Sequence, residues 1–589
     1  MIFKTLDEIL PGIEINLRVL SRGTGRYRML LYQHEGTLCL SENETKLGNL
    51  TDTTAAFRSF LRLAKEKNVD LAITPEYSCP WSNIQEIIEA PDSWPADGKI
   101  WALGSESITP QQLIDFKRKF NDSDKIIYFD ETRLNQNELF FDPLMYIFQG
   151  RVNGSQKLII LVQFKTLHMG VRSGGELERD RIILGQEIYI IRNNNNSINL
   201  LTLICSEAMN FPNAMNQQEK AKYNWNDHPF LVLNPQLNPD PIHPDFINFR
   251  RFMFEQERKE VISLNWNANS KIGKKELLQN GSSRSGIYLN SSDIQFENQV
   301  QINNNHKLGM YYFYASRNNH VFILNSKPHA YLLENLSVSI TEGTPSQRLR
   351  NGPEVKEVYL LQDGSNLATM PTISDCHLEC LEELGCENEF LNSQTNCILE
   401  KERLVCLTTG TFLSPPTTTW SSPEKLFSFR LKDNTEIIKR LTFAEDKDNE
   451  SVQQRHQYIE AINVLDKEIL PNKEKYPKSL ADLKSFPVFL GYPQDATGKK
   501  EIQRELYRYN LVTEEGKMVN ATVCYLGLTS LRNATDTYIA LRKLFDRGNM
   551  NWQRIVVYYK KGLETKIISH ENPASYVNVE EKDPSSFLS

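Results

Sequence analysis

Three apolar runs in this chain end in side chains that a buried strand does not ordinarily carry. LAITPE (71–76) ends in Glu76, LIILVQFK (158–165) in Lys165 and LLTLIC (200–205) in Cys205. Their length and β-branched content predict buried strands. A charge at the end of such a strand is costly unless it is paired or reaches a cavity. In an α/β sheet the carboxyl ends of the strands line the ligand crevice, so residues far apart in sequence can converge there. Ser206-Glu207-Ala208 suit a helix N-terminus, which would leave Cys205 at a strand-to-helix corner with backbone N–H groups aimed at its sulfur. Each residue also has a plainer reading. Glu76 and Lys165 would serve as a structural ion pair, and Cys205 as a core cysteine.

The surrounding pattern is that of an α/β protein. Up to about residue 330, strand-like and helix-like segments alternate. Strands are expected at 28–36, 69–76, 99–107, 139–150, 157–165, 228–235 and 261–267, with two more within 309–335. Helices are expected at 51–68, where Phe57, Phe60, Leu61 and Ala64 recur at helical spacing, and at 246–260. The segment 187–205 reads as a hairpin turned by its asparagine run. At 589 residues, two or three domains are expected. We place a first domain at 1–336, a cysteine-containing connection ending in a Ser/Thr/Pro linker at 337–425, and a smaller α+β region at 426–589. That last region has helices expected at 449–467 and 535–547 and a strand at 553–560.

Composition narrows the function classes. A net charge of −7 with both signs interspersed gives no nucleic-acid groove and no polybasic membrane patch. No apolar run approaches the roughly 18–20 residues that span a bilayer. The N-terminal stretch MIFKTLDEILPGIEINLRVL is acidic and broken by proline, unlike a signal peptide, so a cytoplasmic protein with reduced cysteines is expected. Five of the nine cysteines (376, 380, 386, 397 and 406) crowd together near His377. Their spacings match no common zinc knuckle, so no metal is assigned.

PEYSCPW (75–81), QFKTLH (163–168) and LICSEAMNFP (203–212), in that order, resemble the catalytic segments of the nitrilase superfamily, the carbon–nitrogen hydrolases. The resemblance covers about residues 25–335. Glu207 two positions after the cysteine, the FP that follows, LNP at 233–235 and the strand ending in Asn265 agree with it. It implies a four-layer αββα sandwich with a Glu76–Lys165–Cys205 site. It also implies a second glutamate ahead of Gly185, for which Glu178 fits best and Glu176 competes. Ser206 stands where many members have an aromatic residue, the segment between Glu76 and Lys165 is expanded, and nothing in the simple enzymes corresponds to the chain beyond about 336.

The resemblance implies an amidase- or nitrilase-type hydrolase acting through a thioester on a small-molecule amide or nitrile, with no metal or organic cofactor. Glu76 would be the base, Cys205 the nucleophile and Lys165 the charge at the oxyanion, with Glu178 orienting the lysine or the leaving group. Tyr77, Trp81, His168, Phe211 and Trp266 adjoin the motifs as pocket candidates, with core packing the competing role of each. Acyl transfer differs only in what resolves the thioester. A reading from another class is a ligand-sensing or scaffold module of a multi-protein assembly, antiviral defence among them. Homo-oligomerisation, and a protein partner for the C-terminal region, are the expected associations.

Overall fold

The computed structural model describes most of residues 1–370 and much of 405–571. Outside the described residues lie 23–25, 42–44, 135–138, 170–174, 242, 256–257, 279–282, 291–300, 302–303, 306–307, 317–318, 327–328, 339–348, 371–404, 406, 411–448, 492–508, 546–552 and 572–589. The crowded cysteines all fall there, as does most of the Ser/Thr/Pro segment. Two compact units divide the chain, the first covering Met1–Ile373.

The first unit is mixed α/β, built on two large sheets. The larger runs in the order Asn366–Thr369, Leu349–Gln362, Ala330–Val338, Arg26–Tyr32, Leu71–Cys79, Ile100–Ser105, Pro143–Val152, Ser155–Phe164 and Lys125–Tyr128, with Ile13–Glu14 beside Pro143–Val152. The smaller runs Asn199–Thr202, Phe230–Pro235, Lys259–Leu264, Gly286–Asn290, Asn319–Leu324 and Met310–Ser316. Its first three strands are parallel and fully buried, as continuous apolar runs require.

Helices cover the larger sheet because their apolar residues share one face. Thr54–Glu66 buries Phe57, Phe60, Leu61 and Ala64, and its first turn is fixed by Asp52 accepting from the Thr54 N–H. Pro110–Phe120 begins with a Thr109–Gln112 capping box and a proline at its first position. Both helices, with Trp81–Glu89, pack into one core with Leu30, Ala72, Trp101, Ile147 and Ile160 of the sheet. The smaller sheet has its own helix contacts, where Phe211, Phe249 and Phe252 meet edge to face beside Trp225.

Several expectations need correction. The hairpin at 187–205 does not form. Glu187–Ile190 pairs in parallel with the N-terminal strand Ile2–Thr5, and Asn199–Thr202 pairs in parallel with Phe230–Pro235. Only an isolated Ile191–Leu200 bridge joins the two arms. The turn residue Asn193 is held elsewhere, bonded through its side chain to both the N–H and the C=O of Leu17. The helix expected to reach 260 ends at Phe254, and Lys259 and Glu260 already belong to the next strand. Three strands, not two, occupy 309–335.

The larger sheet also continues past 336. Leu349–Gln362 pairs antiparallel with Ala330–Val338, and Asn366–Thr369 follows it. Val355, Val358 and Tyr359 are buried there, so this stretch belongs to the first unit and is not a connection.

The second unit combines helices and strands. Thr522–Leu528 and Ile555–Lys561 are parallel, and helix Leu531–Phe545 lies between them in the chain, with Glu564–Ile568 antiparallel beyond. Leu407, Cys524, Leu541 and Val557 share a core. Thr408 is buried, and its hydroxyl accepts from Asn510 at 3.1 Å. The first residues of the Ser/Thr/Pro segment are thus part of this unit. No helix among the described residues is long and apolar enough to cross a membrane.

Candidate active site

Glu76, Lys165 and Glu178 meet in the first unit. The Lys165 Nζ donates to Glu76 Oε1 at 2.5 Å and to Glu178 Oε1 at 2.6 Å, with all three side chains buried. Glu178, not Glu176, reaches the lysine. Glu176 is exposed, and its backbone carbonyl accepts from Arg181.

Glu76 is presented by an irregularity in its strand. Leu71–Cys79 pairs in parallel with Ile100–Ser105 as far as Thr74–Leu103, and the register then shifts to Cys79–Ser105. A bulge of this kind re-aims a side chain. Tyr77, next to Glu76, takes a φ of +56°. The close approach depends on Gly104, because a β-carbon there would sit 2.3 Å from the Pro75 carbonyl oxygen and 3.0 Å from the Glu76 α-carbon. Gly104→Ala should therefore cost about 1–3 kcal/mol through backbone displacement. Denaturant unfolding of the variant would measure the cost, and an unchanged midpoint would show that the bulge relaxes freely.

Lys165 follows directly on the strand Ser155–Phe164, and that strand's antiparallel register pairs Phe164 with Pro143. The next position therefore sets Lys165 beside Asp142, whose carbonyl accepts the Lys165 N–H at 2.9 Å. The Asp142 carboxylate lies 3.7 Å from the Lys165 Nζ. The oxygens of Glu76, Asp142 and Glu178 lie within 4.8 Å of one another, and the lysine ammonium is the cation they surround. Burial works against the Lys165 charge, but Glu178, Glu76 and Asp142 together outweigh it and hold the ammonium charged well above its ordinary range.

Cys205 turns the corner between Asn199–Thr202 and the helix Glu207–Ala214 with a φ of +42°, an uncommon conformation for a residue other than glycine. Its N–H is held by the Pro235 carbonyl at 2.9 Å. Glu207, buried and pushed up to about 7 by desolvation, accepts from the Ile204 N–H and from the N–H and hydroxyl of Thr166. It thereby ties the cysteine corner to the turn after Lys165. The Ser206 hydroxyl bonds the Leu167 carbonyl, and the Ser206 N–H has no protein acceptor among the described residues.

One residue joins the cysteine to the glutamate. The Leu237 N–H donates to Glu76 Oε2 at 2.7 Å, and the Leu237 carbonyl lies 3.8 Å from the Cys205 sulfur. A chain of buried amides fixes that loop. Asn234 donates to the Leu203 carbonyl, Gln236 to Asn234 and Asn238 to Gln236, while Asn265 bonds both the N–H and the C=O of Asn238. Desolvation first, and then the Glu76 charge, push the Cys205 thiol well above its ordinary range, with Lys165 opposing. At neutral pH the sulfur rests protonated.

Of the aromatic candidates, Tyr77 donates to Glu178 Oε1 at 2.7 Å and the Trp266 indole N–H donates to the Glu76 carbonyl at 2.7 Å. Tyr77 thus holds the Glu178 carboxylate and Trp266 the Glu76 backbone. Trp81 bonds the Glu106 carbonyl, Phe211 belongs to the aromatic packing around Trp225, and His168 is exposed. Sequence reasoning missed Asp142 and Leu237. Asp142 precedes an apolar strand but reaches Lys165 only through strand pairing, and a backbone amide such as that of Leu237 leaves no sequence signal.

No known family profile matches the chain, and no curated protein does. Among solved structures it is similar to a cysteine-to-serine mutant of the Nesterenkonia AN1 amidase from the nitrilase superfamily, at 12% identity and a TM-score of 0.24, covering 44% of this chain and 83% of that one. It is similar at the same identity and score to a glutamate-to-leucine mutant of the amidase from Nesterenkonia sp. AN1, covering 47% and 84%. That second structure shows covalent addition of the acetamide moiety of fluoroacetamide at the active-site cysteine.

Proposed function

We propose that the first unit is a carbon–nitrogen hydrolase of the nitrilase type, with a four-layer αββα arrangement, acting on a small-molecule amide or nitrile. The observation that carries the reading is the meeting of Glu76, at the irregularity within Leu71–Cys79, with Lys165 directly after Ser155–Phe164 and Cys205 shortly after Asn199–Thr202. Lys165 bonds Glu76, and Leu237 contacts both Glu76 and Cys205. A structural ion pair needs no thiol beside it, and a core cysteine needs no left-handed corner.

The chemistry follows from the charges. Cys205 is protonated at rest and needs a base, and Glu76 is the carboxylate coupled to it. Proton transfer to Glu76 gives a thiolate that attacks the amide carbon. The charge developing on the substrate oxygen meets the Lys165 ammonium and the open Ser206 N–H, donors that are commonly worth about 2.7–4 kcal/mol each. The C–N bond breaks as Glu76 returns its proton to the departing amine, leaving a thioester. Water, deprotonated by the same carboxylate, adds to the thioester, the acid leaves and the thiol is restored. Glu178, bonded to both Lys165 and Tyr77, keeps the ammonium in place.

Brief iodoacetamide exposure tests this without knowledge of the substrate. Cys205 should label fastest of the nine cysteines at neutral pH, because Cys79 and Cys524 are buried thiols pushed upward chiefly by desolvation, with no lysine ammonium opposing the shift. Cys205→Ala should abolish amine or ammonia release from any amide the protein turns over. If Cys205 labels no faster than Cys39 and no thioester is trapped on it, a ligand-sensing scaffold replaces the hydrolase.

A further inference from the structure

Asp142 is buried beside the lysine, and among the described residues no N–H or hydroxyl donor reaches either of its carboxyl oxygens. The Lys165 Nζ stops at 3.7 Å, spent on the two glutamates. Oxygens of the Glu76 and Glu178 carboxyls lie within 4.8 Å of one of Asp142, and of the two the Glu76 charge acts on it more strongly. Two ionised carboxylates cannot bond each other, so a hydrogen bond between Asp142 and Glu76 requires a proton on one of them.

The charge balance assigns that proton. Three ionised carboxylates around one ammonium leave the buried cluster at −2, and one proton reduces this to −1. Glu76 already accepts from Lys165 and Leu237, and Glu178 from Lys165, Tyr77 and Met169. Of the three, Asp142 has no hydrogen-bond donor among the described residues to stabilise a negative charge. Desolvation, and then the Glu76 charge, raise its carboxyl well above the ordinary range, with Glu178 adding and Lys165 opposing.

We propose that Asp142 is a protonated carboxylic acid donating its hydrogen bond to Glu76, a positioning residue that holds the base while the Cys205 proton moves. The role rests on the reading of Glu76 as that base. Ionisation of Asp142 adds a third carboxylate charge beside Glu76, Glu178 and Tyr77, takes the cluster from −1 to −2 with Lys165 its one cation among the described residues, and disfavours the Cys205 thiolate. Cys205 reactivity therefore falls away at alkaline pH, where a free thiol would only become more reactive.

Two measurements test it. Infrared spectra of protein labelled with carboxyl-13C aspartate should show a protonated-acid carbonyl band at neutral pH that shifts with the label and is missing from Asp142→Asn. The buried acid Glu207 does not carry that label, so it cannot mimic the band. The pH profile of Cys205 alkylation by iodoacetamide should then fall at alkaline pH in the native protein. Asp142→Asn, which offers an amide donor that cannot ionise, should lose the fall, and Asp142→Ala should label poorly throughout. Absence of the aspartic-acid band at neutral pH, in a protein whose Cys205 labels fast, overturns the proposal and leaves the hydrolase reading standing. A band present with an inert Cys205 overturns the positioning role along with that reading. Superimposable profiles for the native protein and Asp142→Asn overturn the positioning role alone. The infrared measurement on the native chain needs no variant to fold.

Discussion

Glu76→Gln should slow iodoacetamide labelling of Cys205 at neutral pH by about 10²–10⁴-fold, the usual worth of a positioned base. Electrostatics alone predicts the opposite sign. The Glu76 charge is one of the causes that push the Cys205 thiol upward, so removing it favours the thiolate. Slower labelling therefore reports proton transfer and not the local field. The variant's disadvantage should shrink as pH rises, because hydroxide takes over the proton, and its profile should cross that of the native protein. Glutamine keeps the shape of the side chain and an oxygen for the Leu237 N–H, and Glu178 still holds the lysine. The fold should survive, which far-ultraviolet circular dichroism would check. Faster labelling at neutral pH would remove Glu76 from the role of base.

Much of this site was legible in the sequence because its chemistry sits where strands stop. An apolar run ending in a charge or a thiol is a local pattern, and it marked Glu76, Lys165 and Cys205 before any pairing was known. Glu178 needed its distance from Gly185, and Glu176, two positions before it, has the same chemistry. In the structure Glu178 is buried and bonded to Lys165, Tyr77 and Met169, while Glu176 is exposed. The helices were readable wherever one face was apolar, as in Thr54–Glu66. Pairing was not readable. The asparagine run at 193–196 looks like a hairpin turn, but the anchoring of Asn193 to Leu17 and the parallel partners on either side decide otherwise, and those partners lie far away in sequence. Asp142 escaped for the same reason, since its place beside Lys165 follows from the antiparallel register of Pro143–Val152 on Ser155–Phe164.

Lys165→Met should cost stability as well as reactivity, by about 3–5 kcal/mol at neutral pH, the usual loss when one partner of a buried ion pair is removed. Methionine fills much of the lysine's volume, so the loss is electrostatic and not a cavity effect. Glu76, Asp142 and Glu178 would then crowd one buried place with no cation among them. The cluster can relax only by binding protons, which gives the loss a pH dependence of known sign. A carboxyl raised above its unfolded value, as Asp142 already is, makes the folded state hold more protons than the unfolded chain. Stability then falls as pH rises from the ordinary carboxylate range towards the raised value. The deficit of Lys165→Met against the native protein should therefore be largest at neutral and alkaline pH and should narrow towards mildly acid pH. Native-state hydrogen exchange on peptides covering 71–79 and 155–165 would follow the affected unit separately from the rest of the chain. A deficit that stays the same across this pH range would mean that Lys165 acts through packing, and the charge balance assigned to the cluster would be wrong.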